Sequence, residues 1–128
     1  MPVKTVIDNK TGVMIRTVTG EITFEEIKSS YEASLTHPDF QNDMHVIWDV
    51  RDADASKFQR RDIIRISRYF ETQLKDRADY KAAVVVSRDL ESDLTKVYQV
   101  AAADLYPEIG IFRSLEEAKK WVTGSDWA

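Results

Sequence analysis

The chain has 128 residues, no cysteine and a net charge of −4, with 43% hydrophobic and 31% charged residues. That is enough chain for one proper core and the composition of an ordinary folded domain, which argues against disorder. The missing cysteines exclude disulfides, thiolate nucleophiles and cysteine-based zinc sites, and the acidic balance gives no reason to expect nucleic acid.

Met1 to Asp8 carries one lysine and no long apolar run, so no secretory signal is expected. No stretch approaches a membrane span, and a cytoplasmic location follows by default. No Gly/Ser- or Pro-rich linker divides the chain, which reads as one domain over residues 1–124 with a frayed tail at 125–128.

Val3 to Ile7 and Val13 to Val18 are short β-branched runs separated by Asp8-Asn9-Lys10-Thr11-Gly12, whose turn residues predict a hairpin. Thr23 then opens a helix, with Glu26 at capping-box spacing and Phe24, Ile27, Tyr31 and Leu35 at helical intervals until His37-Pro38. Met44 to Val50 is the next strand. Ser56 to Gln59 repeats the capping-box spacing and opens a helix to about Arg77.

Tyr80 to Ser87 holds the run Ala82 to Val86, typical of a central strand covered on both faces. Leu94, Val97, Tyr98, Ala101, Ala102 and Leu105 mark one face of a third helix that stops before Pro107. Ile109 to Phe112 is a last short strand, and Ser114 to Glu117 caps a helix that Gly124 closes. The pattern is α/β: a mixed, mostly parallel sheet of about five strands with about four helices. Right-handed crossovers make the later strands parallel, and the opening hairpin adds an antiparallel edge.

Three charged constellations stand out. In the second helix Lys57, Arg60, Arg61, Arg65, Arg68, Lys75 and Arg77 stand against Asp62, Glu71 and Asp76, a local excess of four positive charges in an acidic chain. Helical spacing puts Lys57, Arg61, Arg65, Arg68 and Lys75 on one face, with Ile64 at its margin and Phe58, Ile63, Ile66, Tyr69, Phe70 and Leu74 opposite. Such a stripe is an ordinary solvated surface or a docking face for an acidic protein or anionic lipid headgroups.

The second constellation follows from topology. Arg51, Arg88 and Arg113 each fall just past a predicted parallel strand, in loops leading to helix starts, so that neighbouring strands would gather them on an anion-binding rim. Asp52, Asp54, Asp89 and Asp93 share those loops and offer a simpler role as surface ion-pair partners. Asp49, Asp52, Asp54 and Ser56 also resemble the aspartate cluster of magnesium-dependent phosphatases, without a second motif to support it. His37 and His45 have no metal-ligand spacing, and the four glycines form no phosphate loop. Trp48 and Trp121 are expected in the core.

The order of elements, Trp48-Asp49-Val50-Arg51-Asp52-Ala53 after a strand, and Ile111-Phe112-Arg113-Ser114-Leu115-Glu116-Glu117-Ala118 ahead of Trp121 together resemble the SpoIIAA-like branch of the STAS superfamily, named for sulfate transporters and anti-sigma-factor antagonists. The resemblance spans nearly the whole chain. It implies a two-layer STAS-like fold and a non-enzymatic module that binds regulatory proteins or nucleotides. Anti-sigma antagonists of this kind are switched by phosphorylation at the start of the second helix, where Ser56 is the nearest candidate. The segment Arg51 to Ala55 is charged where those antagonists carry small Ser-Gly residues, and an N-cap role accounts for Ser56 on its own.

The expectation is therefore a cytoplasmic regulatory or ligand-binding module, without cofactor or metal, that docks through the basic second helix and the loop before it. The residues carrying it are Lys57, Arg61, Ile64, Arg65 and Arg68, with Arg51, Asp52, Asp54, Ser56, Arg88 and Arg113 as a ligand rim. A lipid or small-anion carrier is the alternative, and a magnesium-dependent phosphatase a further one. Peripheral membrane contact and a homodimer are both compatible with the sequence.

Overall fold

A computed structural model describes residues 3–8, 10–40, 44–54, 59–74, 81–87 and 108–124. Strands β1 (Val3–Asp8) and β2 (Val13–Glu21) form the expected hairpin, with Val6 opposite Ile15. Its turn closes where the Gly12 N–H donates to the Asp8 carbonyl at 3.0 Å, with Gly12 at φ +72°, a backbone conformation that costs glycine little. Helix α1 (Phe24–Leu35) follows, then β3 (His45–Asp54), α2 (Arg60–Leu74), β4 (Lys81–Val85), β5 (Glu108–Phe112) and α3 (Leu115–Thr123). The expected helix over Leu94 to Leu105 and the tail at 125–128 lie outside the described residues.

The five strands line up in sequence order, β1 antiparallel to β2 and every later neighbour parallel. This is the mixed sheet with an antiparallel edge that the chain predicts. Both α1 and α2 connect parallel strands that advance in one direction, so right-handed crossover puts them on the same face. There Ile27, Tyr31, Ile66 and Phe70 pack on Met14, Val18, Val46, Trp48, Ala82 and Val84. Helix α3 leads to no further described strand and covers the opposite face of β3 to β5, through Ala118 and Val122 on Ile47, Ala83 and Val85. Ala82 to Val86 are accordingly buried from both sides.

Of the boundaries that differ from the expected ones, two bear on the site. β3 runs four residues past Val50, so Arg51, Asp52 and Asp54 belong to a strand and not to a loop. The cause lies in β2, which continues to Glu21 and offers partners to Asp52, Ala53 and Asp54. The register shifts on the way: Thr17 stands opposite Asp49, but Thr19 stands opposite Asp52. The extra residue in β3 is a bulge, and it turns the alternation over, so that Ala53 joins the same cluster as Val46 and Trp48.

The second difference is the start of α2, at Arg60 and not directly after Ser56. Gln59 stands at the cap: its carbonyl accepts the N–H groups of Asp62 and Ile63 at 2.9 and 3.3 Å, and its own N–H donates to the Asp62 carboxylate at 2.8 Å. The outer two caps behave as the spacing predicts. Thr23 Oγ1 accepts the Glu26 N–H at 3.1 Å, Ser114 Oγ accepts that of Glu117 at 3.4 Å, and Gly124 ends α3 at φ +70°.

Candidate functional site

The face of α2 turned away from the sheet is built by its spacing. Ile63, Ile66, Ser67 and Phe70 are buried, which leaves Arg61, Ile64, Arg65 and Arg68 exposed on the other side. The stripe expected from sequence is thus present over its described part; Lys57, at its head, and Lys75, at its foot, lie outside the described residues.

Helix α1 supports the middle of the stripe. The Arg65 guanidinium lies 4.3 Å from the centroid of the Phe24 ring, and its Nη2 is 3.8 Å from Glu25 Oε1. Phe24 in turn meets Tyr69 edge-on at 5.9 Å, and Tyr69 packs against Tyr31 and Phe70. Burial pushes the Tyr69 phenol above its ordinary pKa, with the nearby Glu32 carboxylate adding to the effect. Lys28 Nζ sits 5.7 Å over the same ring and adds a cation from α1. Arg65 therefore has a backing of aromatic rings that fixes where its charge is presented.

At the carboxyl ends of the parallel strands, the expected ligand rim has a different arrangement. Asp49 is buried at 6% exposure and accepts Arg51 Nε at 2.9 Å, Arg51 Nη2 at 2.8 Å and the Arg51 backbone N–H at 3.2 Å. The Arg51 hydrogen bonds hold the Asp49 carboxyl below the usual carboxylate range against the opposing effect of burial, and Arg51 is raised in return. Both faces of the expectation are affected: the Arg51 fork is filled by its own strand, and the acid that fills it is Asp49, not Asp52 or Asp54.

Ser87 Oγ donates to the Arg51 carbonyl at 3.1 Å, tying the end of β4 to the bulged strand. Arg113 is exposed just past β5, with β4 standing between it and Arg51. Asp52 and Asp54 are exposed near the end of β3, and Arg88 and Ser56 lie outside the described residues. Among the described residues no group of three His, Asp or Glu side chains is placed to hold a metal ion. His37 and His45 both serve as acceptors, the Nδ1 of His37 taking the nearby Asp39 N–H at 3.0 Å and that of His45 the Lys81 N–H at the start of β4 at 2.8 Å.

The sequence reading passed over one buried polar centre, Arg16, at 2% exposure. Its Nη1 donates to Thr5 Oγ1 at 3.0 Å and the Ser30 carbonyl at 3.2 Å, and its Nη2 to Ser34 Oγ at 3.0 Å. The guanidinium lies 5.4 Å from the Trp48 ring and 6.0 Å from that of Tyr31. This network anchors α1 to the sheet. It also explains why the buried side of α1 is Ile27, Ser30, Tyr31 and Ser34, while Leu35, expected there, is 44% exposed.

Comparison with family models, with curated proteins and with solved structures returns no match. No helix among the described residues is long and apolar enough to cross a membrane.

Proposed function

We propose that this chain is a non-enzymatic regulatory module of STAS-like type that works in the cytoplasm by docking through the outer face of α2. The carrying observation is the exposed alignment of Arg61, Ile64, Arg65 and Arg68 on a helix whose other side is locked into the core. A stripe of one charge sign, on a chain of net charge −4, gives a partner a local field opposite to that of the whole molecule. The filled fork of Arg51 weighs against an anion-carrier reading of the rim, and the same ion pair engages Asp49, one of the acids of the phosphatase reading.

The test is charge reversal on the stripe. Arg61→Glu with Arg65→Glu is expected to abolish retention of partner protein or anionic liposomes while leaving the fold intact. Equal retention by the variant and the parent in pull-down and flotation assays would remove the proposal.

A further inference from the structure

Arg61, Arg65 and Arg68 follow one another at intervals of four and three residues, a ridge about 10 Å long on successive turns. All three are arginines, whose planar fork matches a carboxylate with two parallel hydrogen bonds. Among the described residues neither Arg61 nor Arg68 has an ion pair, and the acid of the first turn, Asp62, is bound to the backbone of Gln59.

A membrane-binding helix needs a broad apolar face to enter the headgroup boundary. Here Ile63, Ile66 and Phe70 are buried in the core, and Ile64 at 36% is the exposed large apolar side chain among the described residues of α2. The surface is thus a row of cations with one small apolar contact. That composition fits a protein segment better than a bilayer.

The chain already brings a carboxylate to this row. Glu25, in the first turn of α1, stands 3.8 Å from Arg65, too far for a hydrogen bond, with the two side chains 74% and 55% exposed. A contact this loose and wet is easily exchanged. Phe24 holds the Arg65 guanidinium from beneath, so the exchange needs no movement of the cation.

Resting on the docking role of α2, we infer that the stripe takes a carboxylate-rich segment of a protein partner, with Arg65 at its centre, and that Glu25 competes for that position from within the chain. Neutralising Glu25 then strengthens partner binding, whereas reversing the outer arginines abolishes it.

The test is an NMR titration of arginine side-chain signals with a synthetic helical peptide carrying glutamates at i, i+4 and i+7. Its glutamine counterpart and phosphatidylserine-containing vesicles serve as parallel probes. The glutamate peptide is expected to move the signals of Arg61, Arg65 and Arg68, to bind about tenfold or more weakly to the Arg61→Glu/Arg68→Glu protein, and to bind about two- to fivefold more tightly to Glu25→Gln. Equal binding of the glutamine peptide, or unchanged affinity in Glu25→Gln, overturns the inference. Vesicle binding through these arginines overturns the choice of a protein segment and leaves α2 as the docking face. Unmoved signals with every probe overturn both.

Discussion

Asp49 accepts both Nε and Nη2 of Arg51, two residues further along the same strand, at 2.9 and 2.8 Å. Residues two apart on a regular strand share a face, so Asp49 follows Ile47 on the side of the sheet that α3 covers, and Arg51 meets it where β3 bulges. A buried carboxylate at a bulge is stabilised here by a neighbour in its own chain, and the pair is complete without a ligand.

Removing the arginine exposes that dependence to pH. Arg51→Met leaves the Asp49 carboxylate buried without its forked donor and is expected to cost about 1 to 3 kcal/mol at neutral pH. Because the folded pKa of Asp49 lies below its unfolded value, the stabilisation is present above the ordinary carboxylate range and is lost as pH falls through the folded pKa. The gap between parent and variant in urea melts therefore narrows as the pH falls through and below the ordinary carboxylate range. A gap that stays constant would mean that Arg51 contributes through packing alone.

Arg16 offers a second test, on α1. Ser34→Ala removes a buried acceptor from a charged donor and is expected to destabilise by about 1.5 to 3 kcal/mol. Ser29→Ala, on the exposed side of the same helix, is expected to stay within about 0.5 kcal/mol of the parent. Equal effects of the two changes in chemical denaturation would remove the anchoring role of Arg16.

Gly110 lies under a ring. A Cβ at this position would stand 2.7 Å from Phe112 Cε2 and 3.3 Å from the Trp121 ring, and Trp121 itself packs against Phe112 at a centroid distance of 5.3 Å. The Phe112 ring has little room to yield, so Gly110→Ala is expected to cost about 1 to 3 kcal/mol. In a double-mutant cycle, Phe112→Leu should absorb much of that cost. Strict additivity of the two changes would contradict the crowding.

The strands were legible because short β-branched and apolar runs are bounded by turn residues, their parallel pairing because helices separate them, and the caps at Thr23 and Ser114 carry their own chemistry in the sequence. The reach of β3 was not legible, because Asp52 and Asp54 read as loop residues until β2 supplies them with partners. The start of α2 was missed for a related reason: two capping spacings overlap, Ser56 to Gln59 and Gln59 to Asp62, and local sequence does not rank them.

Arg16 did leave a signal. It alternates with Met14 and Val18 on the core side of β2, and Ser30 and Ser34 interrupt the apolar side of α1 at matching positions. A polar residue in register with core neighbours calls for partners on the element packed above it. The arginine stripe of α2 was the most readable part of the candidate site, since helical spacing alone separates Arg61, Arg65 and Arg68 from Ile63, Ile66 and Phe70.

The docking role of α2 is tested most directly by comparing immobilised parent protein with an Arg61→Glu/Arg65→Glu variant of matched melting temperature, using both a protein pull-down and flotation with anionic vesicles. The expected result is a bound species retained by the parent and lost, by about tenfold or more, with the variant. The same species retained equally by both would contradict it.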